Sequence, residues 1–203
     1  MTEELGLFEA MYTQRALRYL KPDPVPDEII RKVIDAGIHA PNGGNSQQWA
    51  FVVIKDEATK RIVEKYYPGV ARPNHGEART VSEQRAAAAA DYLAQHIMDV
   101  PVWILACTHH EGTDLHHGAS IYPAVQNMLL AARGLGLGSV LTTRVRRDKE
   151  FEKAIRDRIG LPEGWATAAM IPLGFPMDGY RYGPTTRRPA SEVTHWDRWG
   201  VNG

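Results

Sequence analysis

The strongest constraint on this chain is a helix with almost no polar side. Over 118–133, Ile121, Val125, Met128, Leu129 and Ala132 recur at helical spacing on one face, while Ala124, Leu130 and Ala131 make much of the remainder apolar. A helix of that kind must be covered nearly all round. A chain of 203 residues can bury one substantial core, so this helix either crosses the centre of a domain or packs against a second subunit.

The rest of the chain alternates helical and strand patterns. Lys21-Pro22-Asp23-Pro24-Val25-Pro26 forms an extended connector that forbids helix. Asp27 is the expected cap of a helix whose apolar face carries Ile29, Ile30, Val33, Ile34 and Ile38. A Gly-rich segment at 41–45 ends it and leads into the strand pattern Trp49-Ala50-Phe51-Val52-Val53-Ile54. A short helix is expected over 58–65, a polar surface loop over 68–80 and an alanine-rich helix over 82–99. Strand patterns follow at 102–107, 139–142 and 167–171, with Asp148 capping a helix that runs to about Ile159. The segment 175–203 carries Trp196 and Trp199 but too few apolar residues for a core of its own, so it is expected to wrap onto another surface.

Composition excludes several classes. Lys+Arg and Asp+Glu both number 24, so no net basic field draws nucleic acid or an anionic membrane. No apolar run approaches the roughly 20 residues that span a bilayer, and the acidic Met1-Thr2-Glu3-Glu4 start does not resemble a signal peptide. The single cysteine, Cys107, cannot form an internal disulfide; it lies on an apolar strand pattern and reads as a small buried hydrophobe. A cytoplasmic setting is the expectation. His109-His110 and His116-His117 flank Glu111 and Asp114, but adjacent residues diverge and no thiolate joins them, so no metal site is assigned. Gly134-Leu135-Gly136-Leu137-Gly138 follows a helix, where a dinucleotide-binding fingerprint would follow a strand.

Three segments point to one phosphate-bearing, flat ligand. Arginines flank both ends of the chain, in Gln14-Arg15-Ala16-Leu17-Arg18 and Thr186-Arg187-Arg188-Pro189, and Asn45 and Gln47 stand in Pro41-Asn42-Gly43-Gly44-Asn45-Ser46-Gln47-Gln48-Trp49. Glycine admits close backbone approach, amides offer paired donors and acceptors, and guanidinium forks match phosphate. Together these are the ingredients of a flavin pocket.

In the order of these pieces the chain resembles the FMN-dependent nitroreductase family. Gln14-Arg15-Ala16-Leu17-Arg18-Tyr19-Leu20 is similar to the family's RRSxRxF opening, and Ala40-Pro41-Asn42-Gly43-Gly44-Asn45-Ser46-Gln47-Gln48-Trp49 to its APSxxNxQPW loop. Gln126-Asn127-Met128-Leu129-Leu130-Ala131-Ala132 leads into Gly136-Leu137-Gly138-Ser139 as in the family, and Arg187-Arg188-Pro189 resembles its closing RxP. The departures are Gln14 for the first arginine, Ala16 for a serine that helps hold phosphate, Asn42 for a serine and Gln48 for a proline.

The resemblance implies an α+β sandwich around a mostly antiparallel sheet flanked by helices. It implies one domain over 1–203 and an intertwined homodimer, with two FMN sites at the subunit interface and the tail from 175 embracing the partner. Its cofactor contacts would be Arg15, Arg187 and Arg188 at the phosphate, with Ala16 beside them, and Arg18 at the pyrimidine edge. Asn45 and Gln47 would meet the ring's carbonyl and imide atoms, and a backbone N–H from Leu141, Thr142 or Thr143 would reach flavin N5. The implied reaction passes hydride from NADH or NADPH through the flavin to a nitroaromatic, quinone or similar acceptor by two-step exchange, with no protein nucleophile. Reductive dehalogenation and oxygen-dependent flavin fragmentation are rivals on the same scaffold, although 66–79 shows no clear Glu-Tyr-Lys set for clamping an amino acid. A noncatalytic FMN binder is the alternative from another class.

Overall fold

A computed structural model describes residues 5–70, 80–109 and 114–201. Its frame is β1 (Trp49–Ile54), β2 (Val102–His109), β3 (Gly138–Ser139) and β4 (Trp165–Gly174), an antiparallel sheet in the order β1-β2-β4-β3. The helices among the described residues are α1 (Leu7–Thr13), α2 (Asp27–Ile38), α3 (Glu57–Tyr66), α4 (Val81–Gln95), α5 (Asp114–Gly134), α6 (Arg144–Arg147) and α7 (Lys149–Ile159). This is the expected α+β sandwich.

The central strand shows why there are two cores. Successive side chains of a strand point to opposite faces. Trp103, Leu105 and Cys107 therefore join Val63 of α3, Leu93 of α4 and Phe151 of α7 on one side. Val102, Ile104 and Ala106 join Ile30 and Val33 of α2 and Ile121, Val125 and Met128 of α5 on the other. At Ala106/Cys107 the pairing of β2 with β4 slips by one residue, so Ala168 and Ala169 both belong to the second core.

The apolar helix behaves as its composition demands. Ile121, Ala124, Val125, Met128, Leu129 and Ala132 are buried by the sheet and α2. Ala119, Tyr122 and Gln126 form an open stripe at helical spacing. Cys107 is buried too, and burial pushes its thiol up to about 12.

Several local expectations need correction. Asp27 does not cap α2: Pro26 occupies that place, and the Asp27 carboxylate instead accepts from Lys55 Nζ at 2.7 Å. Pro26 already ends the preceding segment with the right backbone angles, which leaves Asp27 inside the first turn. The strand expected over 139–142 is only Gly138–Ser139 plus an isolated bridge from Thr142 to Met170, because α6 begins at Arg144 and turns the chain away. Ile38 is exposed, whereas Gly37 takes the buried place against Met128. The short helices α1 and α6 carry too little periodicity to be read from sequence. Most of the polar loop expected before α4 lies outside the described residues. No helix among the described residues is long and apolar enough to cross a membrane.

Two variants test this architecture. A Cβ on Gly138 would lie 2.6 Å from Leu20 Cδ2 and 3.2 Å from Leu17 Cβ, so Gly138→Ala should cost about 1–3 kcal/mol in urea unfolding. Asp56 caps α3, its carboxylate accepting from the Thr59 N–H at 2.9 Å, the Thr59 hydroxyl at 3.0 Å and Arg158 at 3.0 Å. These bonds, the Thr59 N–H foremost, lower its pKa to about 2. A carboxylate depressed on folding stabilises above its unfolded value of about 3.9 and loses that contribution as pH falls through the folded value. Asp56→Ala should therefore cost about 1 kcal/mol near pH 7, with the gap to wild type narrowing between pH 4 and pH 2.

Candidate functional site

The site is built on the free edge of β3. Ala16 forms a parallel bridge with Ser139, and the Leu17 N–H donates to the Ser139 carbonyl at 3.0 Å. Leu17 and Leu20 are buried, Leu20 against Gly138 and Gly174, where the absence of side chains lets it reach the sheet. With those leucines turned inward, Arg15 and Ala16 are exposed and Arg18 is half-buried.

Two further elements close around this segment. Tyr19 stacks on Tyr180 of the tail at 3.8 Å between ring centroids and leans on Tyr92 of α4 at 4.3 Å. Burial, with Tyr180 and Tyr92 beside it, holds the Tyr19 phenol above its ordinary value. Tail and segment are also joined through the Met177 N–H, which donates to the Tyr19 carbonyl at 3.0 Å. Between them opens a cleft of about 610 Å³, lined by Arg15, Ala16 and Arg18, by Ser82, Arg85 and Ala89 of α4, and by Tyr180 and Thr186. Among the described residues that line it are three arginines and no carboxylate. Its chemistry therefore suits an anion with a flat body.

The remaining residues singled out in the sequence are distributed differently. Leu141, Thr142 and Thr143 follow β3 directly, and Thr142 is pinned by paired backbone bonds with Met170 at 2.8 and 2.9 Å. The Thr142 hydroxyl accepts from Tyr67 at 3.3 Å. Arg187 and Arg188 are exposed and do not line the cleft; Arg187 donates instead to the adjacent Thr186 carbonyl at 3.0 Å.

Asn45 and Gln47 lie on the far side of the sheet. Both take left-handed backbone angles, φ 52° and 51°, in a turn held by the Gln47 N–H donating to Asn42 Oδ1 at 2.9 Å. That turn enters β1 at Trp49, level with Thr108 and Ala166, whereas Ser139 is level with Leu173. From Ala166 to Leu173 is seven residues of strand, about 23 Å, and β1 stands three strand spacings from β3, about 14 Å more at right angles. Within one chain the amides and the arginines do not meet.

A larger hollow of about 690 Å³ lies beside α7 and the start of β4. Most of its charged groups have partners within the fold: Lys153 with Asp157 at 2.6 Å, Glu152 with the Thr167 hydroxyl at 2.8 Å, Arg146 with the Thr167 carbonyl at 2.9 Å and Arg156 with the Trp165 carbonyl. None of the residues singled out in the sequence lines it. Of the clustered histidines, the His109 ring packs edge-on to Trp165 at 5.6 Å; the others lie outside the described side chains.

Sequence reasoning did not foresee the contribution of α4. Its one signal was Arg85, a lone cation ahead of the run Ala86-Ala87-Ala88-Ala89-Ala90.

Comparison with known proteins gives the family. The Nitroreductase family matches residues 12–175. A Thermus thermophilus NADH dehydrogenase is 30% identical, with 92% of this chain and 94% of that protein aligned. The 5,6-dimethylbenzimidazole synthase of Rhodospirillum rubrum is 28% identical over 91% of each. A crystal structure of oxidized iodotyrosine deiodinase bound to FMN and 3-iodo-L-tyrosine superposes with a TM-score of 0.72 at 21% identity, covering 95% of this chain and 99% of that one. With the match over 12–175 and a relative 30% identical along almost its whole length, this chain belongs to the nitroreductase family.

Proposed function

We propose that the protein is an FMN-dependent oxidoreductase that takes hydride from NADH or NADPH and delivers it to a nitroaromatic, quinone or similar acceptor by two-step exchange. The observation that carries this reading is the cleft at the β3 edge, which Arg15, Arg18 and Arg85 line together with alanine and tyrosine walls. An anionic head and a flat ring suit such a donor set. When bound, FMN supplies the hydride chemistry at N5.

The roles of the chain's own residues follow from their places. Arg15 faces the phosphate. Arg18, on the same segment, sets a positive charge at the pyrimidine edge, which favours the anionic reduced ring. Of the segment Leu141, Thr142 and Thr143, the Thr142 N–H donates to the Met170 carbonyl, so the N–H groups toward N5 are those of Leu141 and Thr143, which the Met170 bridge holds in place. Arg187 and Arg188 reach the phosphate once the tail settles on a partner.

The separation of Asn45 and Gln47 from this cleft supports a homodimer in which each site combines the arginines of one chain with the amides of the other. Exposed apolar groups support it as well. Leu7, Phe8, Met11 and Tyr12 of α1 face outward, as do Tyr122 of α5 and the tail residues Trp196 and Trp199, the last 90% exposed. Aromatic side chains left in water on a segment that hydrogen-bonds mainly within itself are suited to a partner's surface. The expected tail from 175 thus divides: 175–183 is tied to its own chain through Tyr19, Thr13 and Arg133, and the part beyond is free to cross.

Three outcomes are expected. Purified protein should be yellow and should bleach under NADH or NADPH and recolour with a nitroaromatic or quinone; halogenated tyrosine as the only effective acceptor would favour dehalogenation, and a colour that never bleaches would leave a binder. Arg18→Ala should slow flavin reduction or weaken FMN binding about tenfold, read by stopped-flow absorbance and fluorescence titration. Asn45→Ala and Arg18→Ala chains, each impaired alone, should regain about one quarter of wild-type sites when co-expressed, because half the dimers then carry one intact site. No recovery would mean that each chain holds a complete site.

A further inference from the structure

We infer that Ser82 and Arg85 of α4 hold a phosphate monoester in the cleft, the terminal phosphate of the flavin, in place of donors that the opening segment lacks. The inference rests on the FMN reading above and adds residues to it. At the two positions where related openings carry an arginine and a serine, this chain has Gln14 and Ala16. A neutral amide and a methyl group leave a phosphate dianion short of both charge and hydrogen bonds.

The structure shows where replacements stand. Ser82 and Arg85 line the same cleft as Arg15, Ala16 and Thr186. They lie three residues apart on a helix of 15 residues, so they share one face and reach a common point about one turn apart. Arg85 makes no hydrogen bond or ion pair with a described residue, and it is exposed to the cleft.

Among the described residues that line the cleft none is acidic. Glu83, the carboxylate nearest in sequence, belongs to the capping box of α4, where it accepts from the Thr80 N–H at 2.9 Å, and it does not line the cleft. Ala86 and Ala89, one turn on, present only methyl groups, which leave room for the body of the molecule whose anion Arg85 holds. Thr185 and Thr186 line the same cleft.

The test compares FMN with riboflavin, which share the ring and differ in the phosphate. Full-length wild type, Arg85→Ala, Arg85→Lys and Ser82→Ala are titrated with each flavin by fluorescence, and each variant is melted by circular dichroism to establish that α4 is intact. Arg85→Ala should weaken FMN about tenfold and riboflavin less than about twofold, Arg85→Lys should recover part of the loss, and Ser82→Ala should weaken FMN about threefold. Unchanged FMN affinity in Arg85→Ala overturns the inference, and so does an equal loss for both flavins. If FMN binding holds while the preference for NADPH over NADH collapses, Arg85 serves the nucleotide's phosphate and the flavin assignment is overturned. Wild-type protein that binds neither flavin overturns the FMN reading itself.

Discussion

The burial of two leucines at the edge of the sheet decides the rest of the site. Leu17 and Leu20 sink against Gly138 and Gly174, where the missing side chains leave room for them. Burying each is worth about 1.5–3 kcal/mol, and the backbone bond from Leu17 to Ser139 sets the register. Once the leucines point inward, the residues around them are placed along the rim: Arg15 and Arg18 at the cleft mouth, and Tyr19 between α4 and the tail. The binding residues thus take their positions from apolar packing and not from contacts among themselves.

The resulting cleft is electrostatically one-sided. Among the described residues that line it, three are arginines and none carries a carboxylate, a surplus of positive charge suited to an anionic occupant. The larger hollow beside α7 differs, since the carboxylates of Glu152 and Asp157 stand among its cations.

How much of this was legible in the chain differs from residue to residue. Strands β1, β2 and β4 and helices α2, α5 and α7 were visible because apolar periodicity reports burial directly. The arginines and the Gly-rich turn were visible because few other uses bring such groups together in that order. Asp27 was misread as a cap because an acidic residue at a helix start looks the same whether it caps or pairs, and only the position of Pro26 and the reach of Lys55 decide. The part played by α4 stayed hidden, since an arginine before five alanines looks like any solvated helix face until the helix is seen lying across Arg15 and Arg18.

The sequence by itself determined the class of fold, the buried central helix and the kinds of group available to an anionic ligand, because hydrophobic spacing and side-chain chemistry are local properties. Tertiary structure alone decided which of those groups can meet. It carried Arg15 and Arg18 to the β3 edge, put Ser82 and Arg85 opposite them, and left Asn45 and Gln47 at the far corner of the same sheet. Strand order and register create those distances, and they depend on contacts between residues far apart in the chain, which no local pattern encodes.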